Sequence, residues 1–355
     1  MTPELLTDIV WFALAFSTAL GLSLFITPLT IRVASKFGIV DKPDGRLKKH
    51  ETATPYLGGL AVAASFVIAF GVLTTPQTTD YQAMGILTGC LMVLLLGLYD
   101  DLGDLSPSVK FLGQLLAAVV IYKGGVQVDI ASLPEWVNLA LTLLWVTGVA
   151  NAFNIIDVMD GLAAGTAMIA SMFLFVIALV VEDRQTVPFM SITLLGALAG
   201  YLRFNFRPAR IFLGDTGSLF IGFMIASLSM VVSYTDHNRL ALAAPVVLLS
   251  VPIFDTVFVA VHRARKGIPF FRGSPDHFAL RLRHAGWTVP QIVLRTYVVA
   301  SVLGLLALGL VFGPLKGGTF VLGIAGLLWA FAFLWLSRKP APTKPPLPKP
   351  TQGES

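Results

Sequence analysis

The sequence predicts an all-α polytopic membrane protein. Three observations carry that expectation: an apolar composition, a succession of apolar windows long enough to cross a bilayer, and a one-sided distribution of basic residues. Of the 355 residues, 55% are hydrophobic and 13% charged, with a mean hydropathy of +0.79. Soluble domains are about 25% charged, so the composition excludes an ordinary soluble, fibrous or disordered chain. A single cysteine, Cys90, excludes a disulfide framework and a cysteine metal site.

A helical span needs about 20 mostly apolar residues. Eleven windows approach that length. In order they are Ile9–Ile31, Leu57–Leu73, Met84–Tyr99, Val109–Tyr122, Val137–Ile156 and Gly161–Val181, then Pro188–Phe206, Ile211–Tyr234, Leu240–Val261, Gln291–Phe312 and Thr319–Leu336. The first is preceded by Glu4 and Asp8 with no basic stretch, so it reads as a span and not as a signal peptide. Of the 25 Lys and Arg, all but Lys123, Arg184, Arg239 and Lys316 fall in the connections after odd-numbered windows, at their edges, or in the tail. The positive-inside rule then puts the N-terminus outside and the C-terminus in the cytoplasm, so the basic pI is a topology signal and nucleic acid is not a partner. Residues 1–338 are expected to form one membrane domain, and the Pro-rich stretch 339–355 a disordered cytoplasmic tail.

Ionisable groups at membrane depth are costly and by default functional. Five polar clusters occur, all in the connections after windows one, three, five, seven and nine. The third window ends in Asp100-Asp101-Leu102-Gly103-Asp104, with Lys110 six residues on. Carboxylates this close repel unless a cation compensates; the plainer reading is a solvated acidic loop. At the end of the fifth window Asn151, Asn154 and Asp157 share a helix face at three-residue spacing, and Asp160 extends the row. Such amides can be interhelical glue, but two amides with two carboxylates suit a hard cation or a polar ligand.

At the start of the eighth window, Phe212-Leu213-Gly214-Asp215-Thr216-Gly217-Ser218 offers a carboxylate, two hydroxyls and flexible backbone at a helix N-terminus. That suits an anion and its accompanying cation, or simply a helix cap. The first connection carries Lys48-Lys49-His50 ahead of Pro55 and Gly58-Gly59. The ninth carries Asp276-His277 with Arg281 and Arg283, where an imidazole and guanidinium could meet a phosphate or merely coat a surface helix. Asp255, inside the ninth window, is expected to pair with Arg263 or Arg265.

These motifs resemble those of the polyprenyl-phosphate N-acetylhexosamine-1-phosphate transferases, glycosyltransferase family 4, over roughly residues 20–310. The resemblance implies transfer of a sugar-1-phosphate, N-acetylglucosamine-1-phosphate or a related N-acetylhexosamine, from a UDP-sugar to undecaprenyl phosphate in the lipid bilayer. UMP would be released, with Mg²⁺, or Mn²⁺ in its place. It also implies eleven spans, a cytoplasmic site in a bacterial plasma membrane, and leaves room for a homodimer. By resemblance Asp215 and Asn154 hold the metal. Asp100, Asp101, Asp157 and His277 are catalytic, and Lys48, His50, Lys110, Asn151, Asp160, Phe212 and Arg281 bind substrate. Phe212 would stack on uracil. Direct attack by lipid phosphate and a covalent aspartyl intermediate both remain open.

The chain departs from the family at Val158, where Gly is usual, and in the ninth connection, where one imidazole of a usual His-x-His-His remains. The latter argues against the muramoyl-pentapeptide branch. A transporter of lipid-linked sugar and an inactive scaffold are the competing readings. Motifs on one face only oppose the first, and intact carboxylates oppose the second.

Overall fold

A computed structural model describes residues 3–41, 54–75, 78–103, 105–182, 185–236, 238–267 and 275–340. Lys48, His50, Asp104 and the Pro-rich tail after 340 lie outside the described residues. The chain is helical nearly throughout. In order come α1 (Pro3–Lys36), α2 (Gly58–Leu73), α3 (Tyr81–Gly103), α4 (Pro107–Lys123), α5 (Glu135–Ile156), α6 (Leu162–Val181), α7 (Thr186–Asn205) and α8 (Gly214–Val231). After two short 3-10 turns follow α9 (Ala244–Leu248), α10 (Ser250–Arg265), α11 (Phe278–His284), α12 (Val289–Phe312) and α13 (Leu315–Ser337). Between α1 and α2, β1 (Val40–Asp41) pairs antiparallel with β2 (Thr54–Pro55).

Every apolar window falls on a helix, the ninth on a broken pair. Among the described residues eight helices are long and apolar enough to cross a membrane, and the ninth window makes one more when its arms, bent by 71°, count together. The bend has a local cause. Pro252 has no N–H to give to Leu248 and its ring crowds that carbonyl, and α9 ends there. Helices α2 and α4, at 16 and 17 residues, rise about 24–26 Å against a hydrocarbon core of about 30 Å, so these two windows yield helices short for a crossing. Ser106 caps α4 by accepting from Val109 N–H, and Thr288 with Gln291 forms a capping box at α12.

Helix α8 is the centre of the bundle. It packs on α2, α3, α5 and α6, while α1 runs along α7. Its apolar stretch is 78% buried, against 11% for α13. The periphery turns Phe25, Leu144, Leu327 and Phe331 outward, an apolar surface that lipid satisfies and water does not. A short clamp ties α2 to α8: Phe212 N–H donates to Pro55 C=O (2.7 Å), and the N–H groups of Gly58 and Gly59 donate to the carbonyls of Phe212 and Leu213 (2.9 Å each). A Cβ on Gly59 would run into the backbone of Gly217, so the close approach of the two helices depends on glycine there.

Candidate active site

The end of α3, the start of α4, the end of α5 and the start of α8 converge, and they bring together residues spread over more than a hundred positions. Asp100 Oδ1 accepts from Leu105 N–H (2.7 Å) and Oδ2 from Lys110 Nζ (3.0 Å). The same ammonium donates to Asp215 Oδ2, so Lys110 bridges two carboxylates. On its other oxygen Asp215 accepts from Asn154 Nδ2 (2.7 Å), which also donates to Ser218 Oγ (2.9 Å). The groups are only partly covered, at 16% side-chain exposure for Asp100 and Lys110 and 31% for Asp215, which leaves them open to a ligand.

Asp101, expected from sequence to be catalytic, is bound to the start of α8. Its Oδ1 accepts from Asp215 N–H (2.9 Å), and its Oδ2 from Thr216 N–H (3.0 Å) and Thr216 Oγ1 (2.6 Å). The first N–H groups of a helix have no intrahelical partner and favour negative charge. Asp101 therefore caps α8 from another helix. Gly214 is part of the arrangement: its φ is +72°, and a Cβ there would stand 2.6 Å from Asp101 Oδ2.

The row at the end of α5 holds for three members. Asn154 and Asp157 face the centre, whereas Asn151 Nδ2 binds Gln114 Oε1 on α4 (2.5 Å) and Thr147 C=O (2.7 Å). Asp160 leaves the row, because α5 ends at Ile156 and Asp157 is already non-helical (φ −77°, ψ +57°). Asp160 instead accepts from Arg207 Nη1 (3.3 Å) and Ala209 N–H (3.2 Å) and fixes the loop after α7. Asp157, just outside the helix, meets no hydrogen-bond donor among the described residues. Burial, followed by the charges of Asp215, Asp101 and Asp160, pushes its carboxyl up to about 8.

An oxygen-only donor set of this kind fits Mg²⁺, which proteins hold through one or two carboxylates plus phosphate and water. Asp215 with Asp157 or Asp100 would supply those carboxylates. Among the described residues no three His, Cys, Asp or Glu stand close enough together to hold a metal ion, so phosphate and water would have to supply the other ligands. Two residues escaped the sequence reading. Asn205 accepts from Gly161 N–H (3.0 Å) and donates to Ile211 C=O (2.9 Å), tying α6 to the run before α8, and Gln114 holds Asn151. Each is a lone amide in an apolar helix, the one signal that could have found it. Phe212, half-buried, gives its backbone to the clamp on Pro55 and Gly58.

His277 and Arg281 do not share a target, as their four-residue spacing suggested. His277 stands just before α11 without capping it through its side chain; its Nδ1 lies 2.8 Å from Asp255 Oδ2, and Asp255 Oδ1 accepts from Phe278 N–H at 2.9 Å. Asp255 is thus held by His277, beyond the expected arginine, although the Arg263 charge also faces it. Arg281, 3% exposed, donates from Nη2 to Asp276 (2.9 Å) and from Nη1 to Lys339 C=O (3.1 Å), and lies over the Phe258 ring at 5.1 Å. Burial works against ionisation of Asp276, but hydrogen bonds from Lys266 and Arg281 outweigh it and hold the carboxyl below its ordinary range. This second cluster lies on α10 and α11, against α12 and α13.

Between α5, the end of α8 and the α9–α10 bend lies a cavity of about 940 Å³. Its walls include Leu144, Val149 and Ala152 of α5 with Val246, Ile253 and Val257 opposite, and Gln82, Asp129 and Ser233 at the end of the bundle away from the acidic centre. It runs along α5 to within two residues of Asn154 and opens toward lipid at the exposed Leu144, Val246 and Val257.

Comparison with known proteins agrees with this geometry. The model of glycosyl transferase family 4 matches residues 83–233, which include α3, α5, α8 and the whole acidic centre. A probable undecaprenyl-phosphate N-acetylglucosaminyl 1-phosphate transferase of Bacillus subtilis is 36% identical over 302 residues, 83% of either chain. A decaprenyl-phosphate N-acetylglucosaminephosphotransferase of Mycobacterium tuberculosis is 30% identical over 357 residues, covering 89% of this chain and 88% of its own. The phospho-N-acetylmuramoyl-pentapeptide-transferase of Listeria monocytogenes is 29% identical over 318 residues, 82% of this chain and 94% of its own. A polytopic bundle with carboxylates gathered at one end, and likeness to these enzymes over more than four-fifths of either chain, place the chain in glycosyl transferase family 4 as an integral-membrane transferase.

Proposed function

We propose that the chain transfers N-acetylglucosamine 1-phosphate, or a related N-acetylhexosamine 1-phosphate, from a UDP-sugar to undecaprenyl phosphate and releases UMP, as the first membrane step of a cell-surface glycan pathway. On this reading the chain crosses the bacterial plasma membrane eleven times, with the N-terminus outside and the acidic centre at the cytoplasmic face. The observation that carries it is Lys110 bridging Asp100 and Asp215, with Asn154 on the other oxygen of Asp215 and the Asp157 carboxyl close enough to feel the Asp215 charge, while a cavity runs up α5 as far as Ala152. A lipid tail in that cavity would deliver its phosphate to Asn154 and Asp215.

Phosphoryl transfer asks a protein mainly for positioning and charge neutralisation. Asp215 with Asp157 or Asp100 would hold Mg²⁺, whose charge screens the donor diphosphate. A phosphate monoester has its second pKa near 6, so at neutral pH the acceptor needs no strong base. An oxygen of the lipid phosphate attacks the sugar-bearing phosphorus of the donor. A P–O bond forms there, the P–O bond to UMP breaks, and its electron pair leaves with UMP. Asp101 has both oxygens committed to the start of α8, which favours this direct displacement over a covalent intermediate on that aspartate. With His277 Nδ1 against Asp255 Oδ2, its Nε2 would be the nitrogen left for a donor phosphate.

The test is the purified full chain with a panel of UDP-sugars, undecaprenyl phosphate and Mg²⁺, followed by UMP release. UMP is expected with UDP-N-acetylhexosamines and only when the lipid is present. No UMP from any donor overturns the function, and a stoichiometric burst of UMP without lipid overturns direct displacement.

A further inference from the structure

The Asp157 carboxyl accepts no hydrogen bond among the described residues, and its backbone is already outside α5. Neither a partner on its oxygens nor helical geometry aims it. Its direction is set by the short turn that joins α5 to α6, residues 157–161. Inside that turn Val158 N–H donates to Ile156 C=O (2.8 Å) and Leu162 N–H to Met159 C=O (3.0 Å). The grip on the turn comes from elsewhere in the chain. Asp160 is tied to Arg207 and Ala209 N–H after α7. Gly161 is held by both of its backbone groups. Its N–H donates to Asn205 Oδ1 at the end of α7 (3.0 Å), and its C=O accepts from the Tyr297 hydroxyl on α12 (2.5 Å).

Tyr297 reaches that carbonyl through a slot in α6. Gly161 and Gly165 are four positions apart and share a face. A Cβ on Gly165 would run into the Tyr297 hydroxyl and ring, and one on Gly161, at φ +78°, would stand 3.3 Å from the same hydroxyl. The Gly161 carbonyl already accepts from Gly165 N–H (2.9 Å), so α6 closes its first turn without the phenol. The added bond ties the turn to α12, the helix that follows the His277 segment after four residues. We propose that Tyr297 and Asn205 are positioning residues: by gripping the two backbone groups of Gly161 they fix where Asp157 points in the acidic centre. The proposal deepens the transferase reading and rests on it.

Tyr297→Phe tests it, because the ring stays in its slot and only the hydroxyl is lost. In the UMP assay on the full chain kcat should fall about tenfold or more, as for other small misplacements of a reacting group. The KM values for UDP-sugar and undecaprenyl phosphate should stay within about twofold. A hydroxyl with a structural role alone would lower the melting temperature and leave kcat unchanged while the variant is folded. Thr296→Val is the matched control: it removes the buried hydroxyl of the preceding residue, bonded to Ile292 C=O of its own helix, and should keep kcat. Gly165→Ala should displace the ring and lose at least as much as Tyr297→Phe, and combining the two should cost nothing further. Losses that multiply overturn the shared slot. Deuterium exchange of the substrate-free chain, read by mass spectrometry, is the second measure. In Tyr297→Phe the peptide over residues 157–165 should exchange about fivefold faster, the factor that one lost hydrogen bond carries. Wild-type kcat in Tyr297→Phe overturns the proposal, and so does unchanged exchange. Absence of UMP with the wild type overturns the transferase reading and the role of Asp157 with it, while the exchange rates still decide whether Tyr297 holds the turn.

Discussion

Replacing Asp101 by Ala separates a capping role from a catalytic one. In the wild type this carboxylate receives two backbone N–H groups and one hydroxyl from the first turn of α8. Thr216 is fully buried, so water is not at hand to replace the lost acceptor. Its hydroxyl can rotate to another acceptor, but the two N–H groups cannot. A buried donor left unsatisfied costs about 1–3 kcal/mol, which gives about 3 kcal/mol for the pair after partial relaxation. For a chain of 355 residues this is a fall in melting temperature of about 4 °C. Activity should fall with it, because the capped turn carries Asp215, and Asp101→Asn, which keeps one acceptor oxygen, should recover part of both. The assays are thermal unfolding of the detergent-solubilised protein and UMP release. If Asp101→Ala melts like the wild type while turnover vanishes, the carboxylate acts on substrate and the capping argument is wrong.

Three other outcomes are expected. Asp215→Asn should lower kcat by about a thousandfold, on the order of 4 kcal/mol of transition-state stabilisation, while the protein still inserts and elutes as one species; near-normal turnover at saturating Mg²⁺ would sink the metal-ligand role. The folded-state pKa of Asp276 is depressed by Lys266 and Arg281, so its contribution to stability is present above the unfolded value of about 4 and is lost as pH falls through the lower folded value. Asp276→Asn should therefore flatten the acid limb of the melting-temperature profile below about pH 4, and an unchanged limb refutes the pairing. On a Cys90→Ser background, Leu102→Cys and Tyr81→Cys mark opposite ends of α3, both exposed. An impermeant thiol reagent added outside should label the position-81 variant alone, and the reverse pattern inverts the topology.

The sequence reading reached furthest where chemistry and local periodicity coincide. The Gly214-Asp215-Thr216 run was legible because a carboxylate between flanking glycines at a helix start has few alternative uses, and the apolar windows were legible because lipid imposes a long uniform pattern. It fell short wherever a contact is made across the fold. Asp160 was placed in the row with Asn154 by continuing a helical period that α5 does not continue, and Gly161 with its φ of +78° already marked the break. Arg281 stands at the right spacing from His277, but the adjacent Asp276 is the nearer partner for its charge. Pro252 carried the bend of the ninth window, and a hydropathy window does not register a missing N–H.

The pair Asp100-Asp101 shows why adjacency misleads. Consecutive residues on a helix point about 100° apart, so two neighbouring carboxylates at the end of α3 face different neighbours. One turns to Lys110, the other to the first N–H groups of α8, 114 positions along the chain. The second interaction is invisible in a linear text because the donors are backbone groups that every residue possesses. Its consequence is chemical all the same. By capping α8, Asp101 sets where Asp215 begins, and Lys110 then reaches Asp215 and Asp100 together. Among the described residues the ammonium of Lys110 meets two carboxylates, Asp100 and Asp215, and on the proposed transferase reading a divalent cation at Asp215 would balance the charge that Lys110 leaves over before a diphosphate could approach.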